Sequence, residues 1–156
     1  MNTKDIENLI RELIKKTTIE VGSIAVSDDD PKNIWFKVEV SDPHLFTARD
    51  GEALFALNHL ARKIAENQTK IPEEEPRFLI DIGDFQKKRV ENVKAVAHLM
   101  AERARYFKSS IEIDPMTAFE RRIVHEFLAD QVDLKTESVG VGSGRRVVIK
   151  YIGSSL

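Results

Sequence analysis

Residues 116–125 read Met-Thr-Ala-Phe-Glu-Arg-Arg-Ile-Val-His, and they say more about the fold of this 156-residue chain than any other stretch. On a helical wheel at about 100° per residue, Met116, Phe119, Ile123 and Phe127 cluster within about 80° of one another. This pattern predicts a helix over residues 115–131 with those side chains on its core face. Two starts compete: Asp114 as the cap with Pro115 in the first turn, or a capping box formed by residues 117–120.

Arg121 and His125 lie on the same wheel about 160° from that core face and about 40° from each other. They are therefore predicted to share a solvent-side stripe one turn apart, while Arg122 points to a flank. Arginine carries five donors in a planar fork that fits phosphate, and a histidine one turn on adds another donor. Because Arg-x-x-x-His is common by chance, the pair taken alone is more simply explained as a solvated helix face.

The residues that follow this helix strengthen the phosphate interpretation. Thr136 and Ser138 alternate onto one face of a predicted strand, with hydroxyls that can donate to phosphate. A Gly-x-Gly-x-Gly turn at residues 140–144 then leads into Arg145 and Arg146, which open the last strand. Backbone in such a turn can approach an anion closely. The combination predicts a basic surface that binds phosphate and lacks the groups needed to cleave a covalent bond.

Composition excludes several classes of protein. The absence of cysteine excludes disulfides and thiolate metal sites, and the four histidines lack metal-ligand spacing, so we expect no metal and no other cofactor. The longest apolar stretches are far too short to span a membrane, and the N-terminus carries no apolar signal segment. A cytoplasmic protein is expected.

Charge is distributed unevenly along the chain. Residues 1–84 hold 11 Lys and Arg against 17 Asp and Glu, whereas residues 85–156 hold 13 against 9. The C-terminal part is therefore net positive, although the net charge of the whole chain is -2. This asymmetry hints that the C-terminal part meets an anion, and unevenly solvated surface charge is the alternative.

Hydrophobic periodicity predicts the element order αββααβ followed by αβαββ, with Gly51 interrupting the helical region after residue 42. Two small modules explain this order better than one parallel sheet does. The expected class is therefore α+β, with one domain over residues 1–84 and a second over residues 85–156.

Several linked motifs resemble one known family. Arg121-x-x-x-His125, Thr136-x-Ser138-x-Gly140 and the run at residues 145–149 together look like an R-three-H domain, in the version of the bacterial Jag (SpoIIIJ-associated) proteins. Asp81-x-x-x-Phe85-x-x-Lys88-Arg89 is similar to the start of the same domain, so the likeness covers about residues 80–151. The resemblance implies binding of single-stranded nucleic acid, with the arginine and histidine on the binding surface.

In Jag-like proteins the R-three-H domain follows a KH domain, and residues 1–84 have the order of a type II KH module. By this resemblance the Gly-x-x-Gly loop corresponds to Ala48-Arg49-Asp50-Gly51. The alanine in place of the first glycine and the added aspartate both weaken the approach of phosphate. Arg49 and Gly51 remain the candidate contacts. We also expect the chain to lack the separate N-terminal domain that many Jag proteins carry.

The leading hypothesis is a cytoplasmic bacterial protein, not an enzyme, that binds single-stranded RNA by its phosphates, with single-stranded DNA as an alternative ligand. The candidate contacts are Arg121, Arg122, His125, Arg145, Arg146, Lys87, Lys88, Arg89, Thr136, Ser138, Arg49 and Gly51. A second hypothesis is an adaptor whose KH-like domain contacts a protein partner. A third, a hydrolase using His125 and Glu120, is disfavoured because no second carboxylate lies at a suitable spacing.

Overall fold

The computed structural model describes residues 1–30, 32–69 and 77–153. The chain divides into two compact units, Met1–Lys87 and Lys88–Leu156, whereas the sequence placed the boundary after residue 84. Each unit combines helices with a three-stranded sheet. The mixed α+β class is confirmed.

The first unit is built on a mixed sheet. Its elements are α1 (Thr3–Lys15), β1 (Val21–Ser27), β2 (Ile34–Val40), α2 (His44–Gln68) and β3 (Phe78–Ile82). Strand β2 is central, antiparallel to β1 and parallel to β3. The core is formed by apolar residues of α1, β2, α2 and β3, among them Ile10, Ile14, Phe36, Leu54, Ala61 and Ile80. Burial of these side chains is the main force that holds α1 and α2 on the sheet.

Helix α2 is interrupted where the sequence predicts a break. Ala48 is extended, and Arg49, Asp50 and Gly51 follow in the left-handed region with φ of 53°, 58° and 77°. Left-handed backbone costs about 1–2 kcal/mol for a residue that carries a Cβ. The two helical segments of α2 are therefore joined by a strained four-residue turn, which corresponds to the loop singled out in the sequence.

Helix α3 (Phe85–Phe107) begins in the first unit and continues into the second. Its first turn is capped by a buried carboxylate: the Asp81 oxygens accept from the backbone N–H groups of Gln86 at 2.9 Å and Lys87 at 3.1 Å. A carboxylate at a helix N-terminus satisfies donors that have no partner within the helix. The segment that resembles the start of the R-three-H domain therefore contains a helix cap at Asp81 in the first unit, whereas its last two residues, Lys88 and Arg89, belong to the second unit.

The rest of the second unit packs helices against one face of an antiparallel sheet. Its further elements are β4 (Ile111–Glu112), α4 (Ala118–Leu128), β5 (Leu134–Val139) and β6 (Arg146–Tyr151), with a 3-10 turn at Gly142–Gly144. The strand order is β4-β6-β5. The core joins α3, α4 and the sheet through residues such as Val93, Ala97, Val124, Leu128, Val147 and Ile149.

Helix α4 begins later than the earliest start that the sequence offered. Thr117 is its N-cap, and Thr117 and Glu120 form a reciprocal capping box. The alternative start at Asp114 and Pro115 is wrong, because this segment runs alongside β6, with Met116 N–H donating to the Arg145 carbonyl at 3.1 Å. The capping box fixes where α4 starts and therefore which residues its first turn presents.

The predicted core face of α4 is also displaced. The buried residues are Glu120, Ile123, Val124 and Leu128, whereas Phe127 is 36% exposed. The observed face is turned toward Val124, so that Arg121 lies about 90° and His125 about 125° from its centre. Both side chains are half-buried on the flank of the helix, not on its solvent side.

Candidate nucleic-acid interface

His125 is fixed between two hydroxyl groups of the neighbouring strand. Its Nδ1 lies 2.7 Å from Thr136 Oγ1, and its Nε2 lies 2.8 Å from Ser138 Oγ. Both hydroxyls face α4 because residues two apart on a strand point to the same side of the sheet. The imidazole therefore joins α4 to β5 and uses both of its ring nitrogens in doing so.

Arg121 is held at the start of the same helix. Its Nη1 donates to the Met116 carbonyl at 2.8 Å, and the Met116 N–H donates in turn to the Arg145 carbonyl. One nitrogen of the planar fork is thus fixed, which limits the orientations of the remaining N–H groups. The same backbone link places the Arg145 main chain beside the residue that fixes Arg121.

The register of the β5–β6 hairpin separates its two arginines. Ser138 pairs with Val147, and Val139 pairs with Arg146, so Arg146 lies on the sheet face opposite to the Thr136 and Ser138 hydroxyls. On that outer face Arg146 Nε donates to Glu112 Oε2 at 3.0 Å. Arg145 is extended and precedes Arg146, so alternation directs it to the helix side. The expectation that both arginines form one platform with His125 is wrong; only Arg145 is on its side.

Electrostatics keep the imidazole neutral. Burial lowers the pKa of His125, and the positive charge of Arg121 lowers it further. Since an unperturbed histidine already titrates below pH 7, His125 contributes hydrogen bonds and no charge at neutral pH. The positive charge of this surface comes from its arginines.

Residues 91–151 match the family model of the R-three-H domain. The chain contains an R-three-H domain. The match contains α4, β5 and β6 entirely, and therefore both residues of the Arg-x-x-x-His motif. It confirms the resemblance that the motifs indicated.

Three relatives are each named RNA-binding protein KhpB. The protein from Bacillus subtilis (strain 168) is 27% identical over 125 residues, which cover 79% of this chain and 59% of the relative. The Clostridium symbiosum protein is 24% identical over 78% of this chain and 54% of its own length. The Streptococcus pneumoniae (strain D39) protein is 25% identical over 93% of this chain and 45% of its own. The chain thus spans about half the length of these relatives.

The other cations proposed from the sequence differ in their exposure and in their ion pairs. Arg122 and Arg145 are exposed, and so are Lys87 and Lys88, although Lys87 belongs to the first unit. Arg89 is mostly buried and its Nε donates to Glu120 Oε1 at 2.6 Å. Its main role in the R-three-H domain is to pair with a buried carboxylate, so the prediction that it extends the basic surface is wrong.

Gly51 also differs from its predicted role. It is buried, and a Cβ built on it would lie 2.4 Å from Cε1 of Phe85. The absence of a side chain at this position makes room for the phenyl ring and is not available for the approach of a phosphate. Arg49, two residues earlier, is exposed.

Sequence reasoning missed the two groups that hold the site in place, the Met116 carbonyl and the Arg89–Glu120 pair. The capping-box pattern did point to Glu120 as a structural carboxylate, but the partner lies 31 residues away along the chain. In the described ranges there is no helix long and apolar enough to cross a membrane. No group of three His, Asp or Glu side chains that could hold a metal ion was found in those ranges either.

Proposed function

We propose that the R-three-H domain binds single-stranded RNA by its phosphate backbone, through α4 and the helix-facing side of β5 and β6. The observation that carries this proposal is the grouping of Arg121 and the Thr136 and Ser138 hydroxyls beside α4, with the Arg145 main chain bonded to Met116. Strand alternation adds the Arg145 side chain to the same side. Arginine N–H groups and hydroxyls can donate hydrogen bonds, and phosphate oxygens are acceptors. The relatives named as RNA-binding proteins support the choice of RNA.

The cations suited to this role are the ones without a carboxylate. Arg122 and Arg145 are exposed and make no ion pair within the described part of the chain. Their charge is therefore available to a polyanion, whereas the charges of Arg89 and Arg146 are compensated. Contacts of this kind read the backbone and carry little base preference. We infer a binding function without catalysis, in the cytoplasm.

For the first unit we propose fewer RNA contacts than for the R-three-H domain. The element order of the first unit is that of a type II KH module, and the strained turn leaves Arg49 exposed while burying Gly51. We propose Arg49 as its RNA contact, with Lys87 as an auxiliary cation of the same unit and Lys88 as an auxiliary cation of the second unit. The adaptor hypothesis gains no support from the relatives, whose printed names refer to RNA.

Binding to a fluorescein-labelled U12 oligonucleotide, followed by anisotropy at several salt concentrations, tests this proposal. With about three phosphates neutralised, the logarithm of the association constant should fall with the logarithm of salt with a slope of about -2. Arg145→Ala should weaken binding about fivefold and reduce the slope by about 0.7. A DNA oligomer of the same base order, dU12, tests whether single-stranded DNA is also a ligand.

The neighbouring residue supplies the control for this experiment. Arg146→Ala removes the same charge one position later but on the opposite sheet face, so affinity should change less than about twofold. Equal losses in the two variants, or an affinity that ignores salt, would contradict binding through the helix-facing side.

A further inference from the structure

The hydrogen bonds of His125 decide which atoms of this site can reach a ligand. Both ring nitrogens are engaged, Nδ1 with Thr136 Oγ1 at 2.7 Å and Nε2 with Ser138 Oγ at 2.8 Å. A phosphate could contact the imidazole only by displacing one of these hydroxyls. The hydroxyls themselves belong to half-buried residues, so neither Thr136 nor Ser138 is closed off from solvent.

The number of protons shared by His125 and the two hydroxyls limits how many hydrogen bonds Thr136 and Ser138 can donate to a ligand. A neutral imidazole has one N–H donor and one acceptor nitrogen, so it accepts a hydrogen bond from one hydroxyl and donates a hydrogen bond to the other. The hydroxyl that donates has no second proton to give. Only the hydroxyl that accepts keeps its O–H for an outside partner. With neutral His125 the pair therefore presents one donor to a phosphate, in either tautomer.

Protonation of the ring changes that number. An imidazolium ion donates from both nitrogens, so Thr136 and Ser138 both become acceptors toward it. Both hydroxyl protons are then released for outside acceptors, and phosphate oxygens are acceptors only. The site thus gains a second donor and a positive charge at once, without a change in the position of any heavy atom.

We propose that the Thr136 and Ser138 hydroxyls make the phosphate contact, that His125 is the positioning residue behind them, and that phosphate binding draws a proton onto its ring. This inference rests on the proposed function and assigns the contacting atoms within it. It differs from the expectation that His125 itself donates to the phosphate.

The charged groups around the imidazole favour this coupling. Arg121 on the same helix opposes protonation of the free protein, and a bound phosphate would neutralise that repulsion. The residues of β6 opposite Thr136 and Ser138 are Ile149 and Val147, which are apolar. The remaining charged neighbours are Glu126 and Arg122 on α4, Lys135 and Glu137 on the other face of β5, Arg145 before β6, and the Arg89–Glu120 pair between α3 and α4.

The direct test is an NMR titration of the His125 ring in the full chain, with and without a U12 oligonucleotide, at fixed ionic strength between about pH 5 and 8. The phosphodiester stays ionised over this range, so only the protein changes its charge. We expect RNA to raise the pKa of His125, and RNA affinity at about pH 5.5 to be about tenfold higher than at about pH 7.5. Binding with an unchanged His125 pKa would overturn the inference and leave the proposed function intact. Absence of binding would overturn both.

Variants separate the hydroxyl contact from a direct histidine contact. Thr136→Val with Ser138→Ala keeps the imidazole and should lower RNA affinity about tenfold and remove most of its pH dependence, leaving only the part that comes from the charge of the ring. His125→Gln keeps a neutral donor and acceptor but has no group that gains a proton in this range, so whatever its affinity at about pH 7.5, it should lose the gain in affinity at about pH 5.5. If the hydroxyl double variant retained the full pH dependence of the wild type, the phosphate would be contacting His125 itself, and the inference would be wrong. The wild-type titration decides the question even where a variant folds poorly.

Discussion

Replacing Gly51 by alanine is expected to destabilise the first unit by about 3 kcal/mol. The backbone of Gly51 has φ +77°, and the new Cβ would lie 2.4 Å from Cε1 and 2.8 Å from Cζ of Phe85. Left-handed backbone accounts for about 1 kcal/mol of the loss, and the overlap with a packed ring accounts for about 2 kcal/mol more. Phe85 cannot yield freely, because its ring also packs edge-on against Phe55 at 6.3 Å.

Urea unfolding followed by tryptophan fluorescence measures this effect, since the single tryptophan of the chain, Trp35, lies in the first unit. Gly83→Ala is the matched control: its φ is +65°, but the Cβ would meet nothing nearer than 3.7 Å, so only about 1 kcal/mol should be lost. Phe85→Leu in the Gly51→Ala background should recover part of the loss. Equal losses for the two glycines would show that the ring does not constrain position 51.

Replacing Glu120 by alanine is expected to destabilise the R-three-H domain by about 3 kcal/mol. The carboxylate accepts from Arg89 Nε at 2.6 Å and from the Thr117 N–H at 2.8 Å, so alanine removes an ion pair and half of the capping box. The Glu120 and Arg89 side chains are only 12% and 18% exposed. Removal of one partner of a buried pair leaves the other charge poorly solvated, which is costlier than the loss of an exposed pair.

Hydrogen exchange at the amides of α4 measures the loss within the R-three-H domain. Glu112→Ala is the matched control, because it also removes a carboxylate from an arginine, here Arg146, but Glu112 is 60% exposed. That pair should contribute about 0.5 kcal/mol or less. A Glu120→Ala variant as stable as Glu112→Ala would show that burying Arg89 without the Glu120 carboxylate costs little free energy, which would contradict the prediction.

The sequence predicted the order of the helices and strands, and it also predicted features that depend on neighbouring residues. The break in α2 follows from a glycine in an otherwise helical pattern, and α4 starts at the capping box of Thr117 and Glu120, which was one of its two predicted starts. The Arg-x-x-x-His spacing places Arg121 and His125 one turn apart on one side of α4, but the predicted solvent side is wrong, because both side chains are half-buried. These features depend on residues close together in the chain.

The features that the sequence did not predict depend on distant partners. Glu120 occupies the buried side of α4 because Arg89 accompanies it there, and this turns the helix so that Phe127 is partly exposed. Helical periodicity cannot reveal that a charged residue is buried, because the hydropathy pattern counts it as polar. Similarly, the close approach of Phe85 adds a second reason for glycine at position 51, beside its positive φ, that no local signal shows.

The separation of Arg145 from Arg146 has a different origin. Consecutive residues in a strand point to opposite faces, and this was readable once the start of β6 was known. The sequence analysis grouped the two by their proximity along the chain. The register of the hairpin, set by pairs such as Ser138 with Val147, resolves which arginine shares a face with His125.

The most direct test of the central claim is a map of backbone amide shifts in the ¹⁵N-labelled chain during titration with U12. The account predicts that the largest changes fall on the helix-facing side of the R-three-H domain, at residues 121–125, 136–138 and 145, and that they shrink as salt is raised. Changes confined to residues 1–87, or centred on the outer face around Glu112 and Arg146, would contradict it.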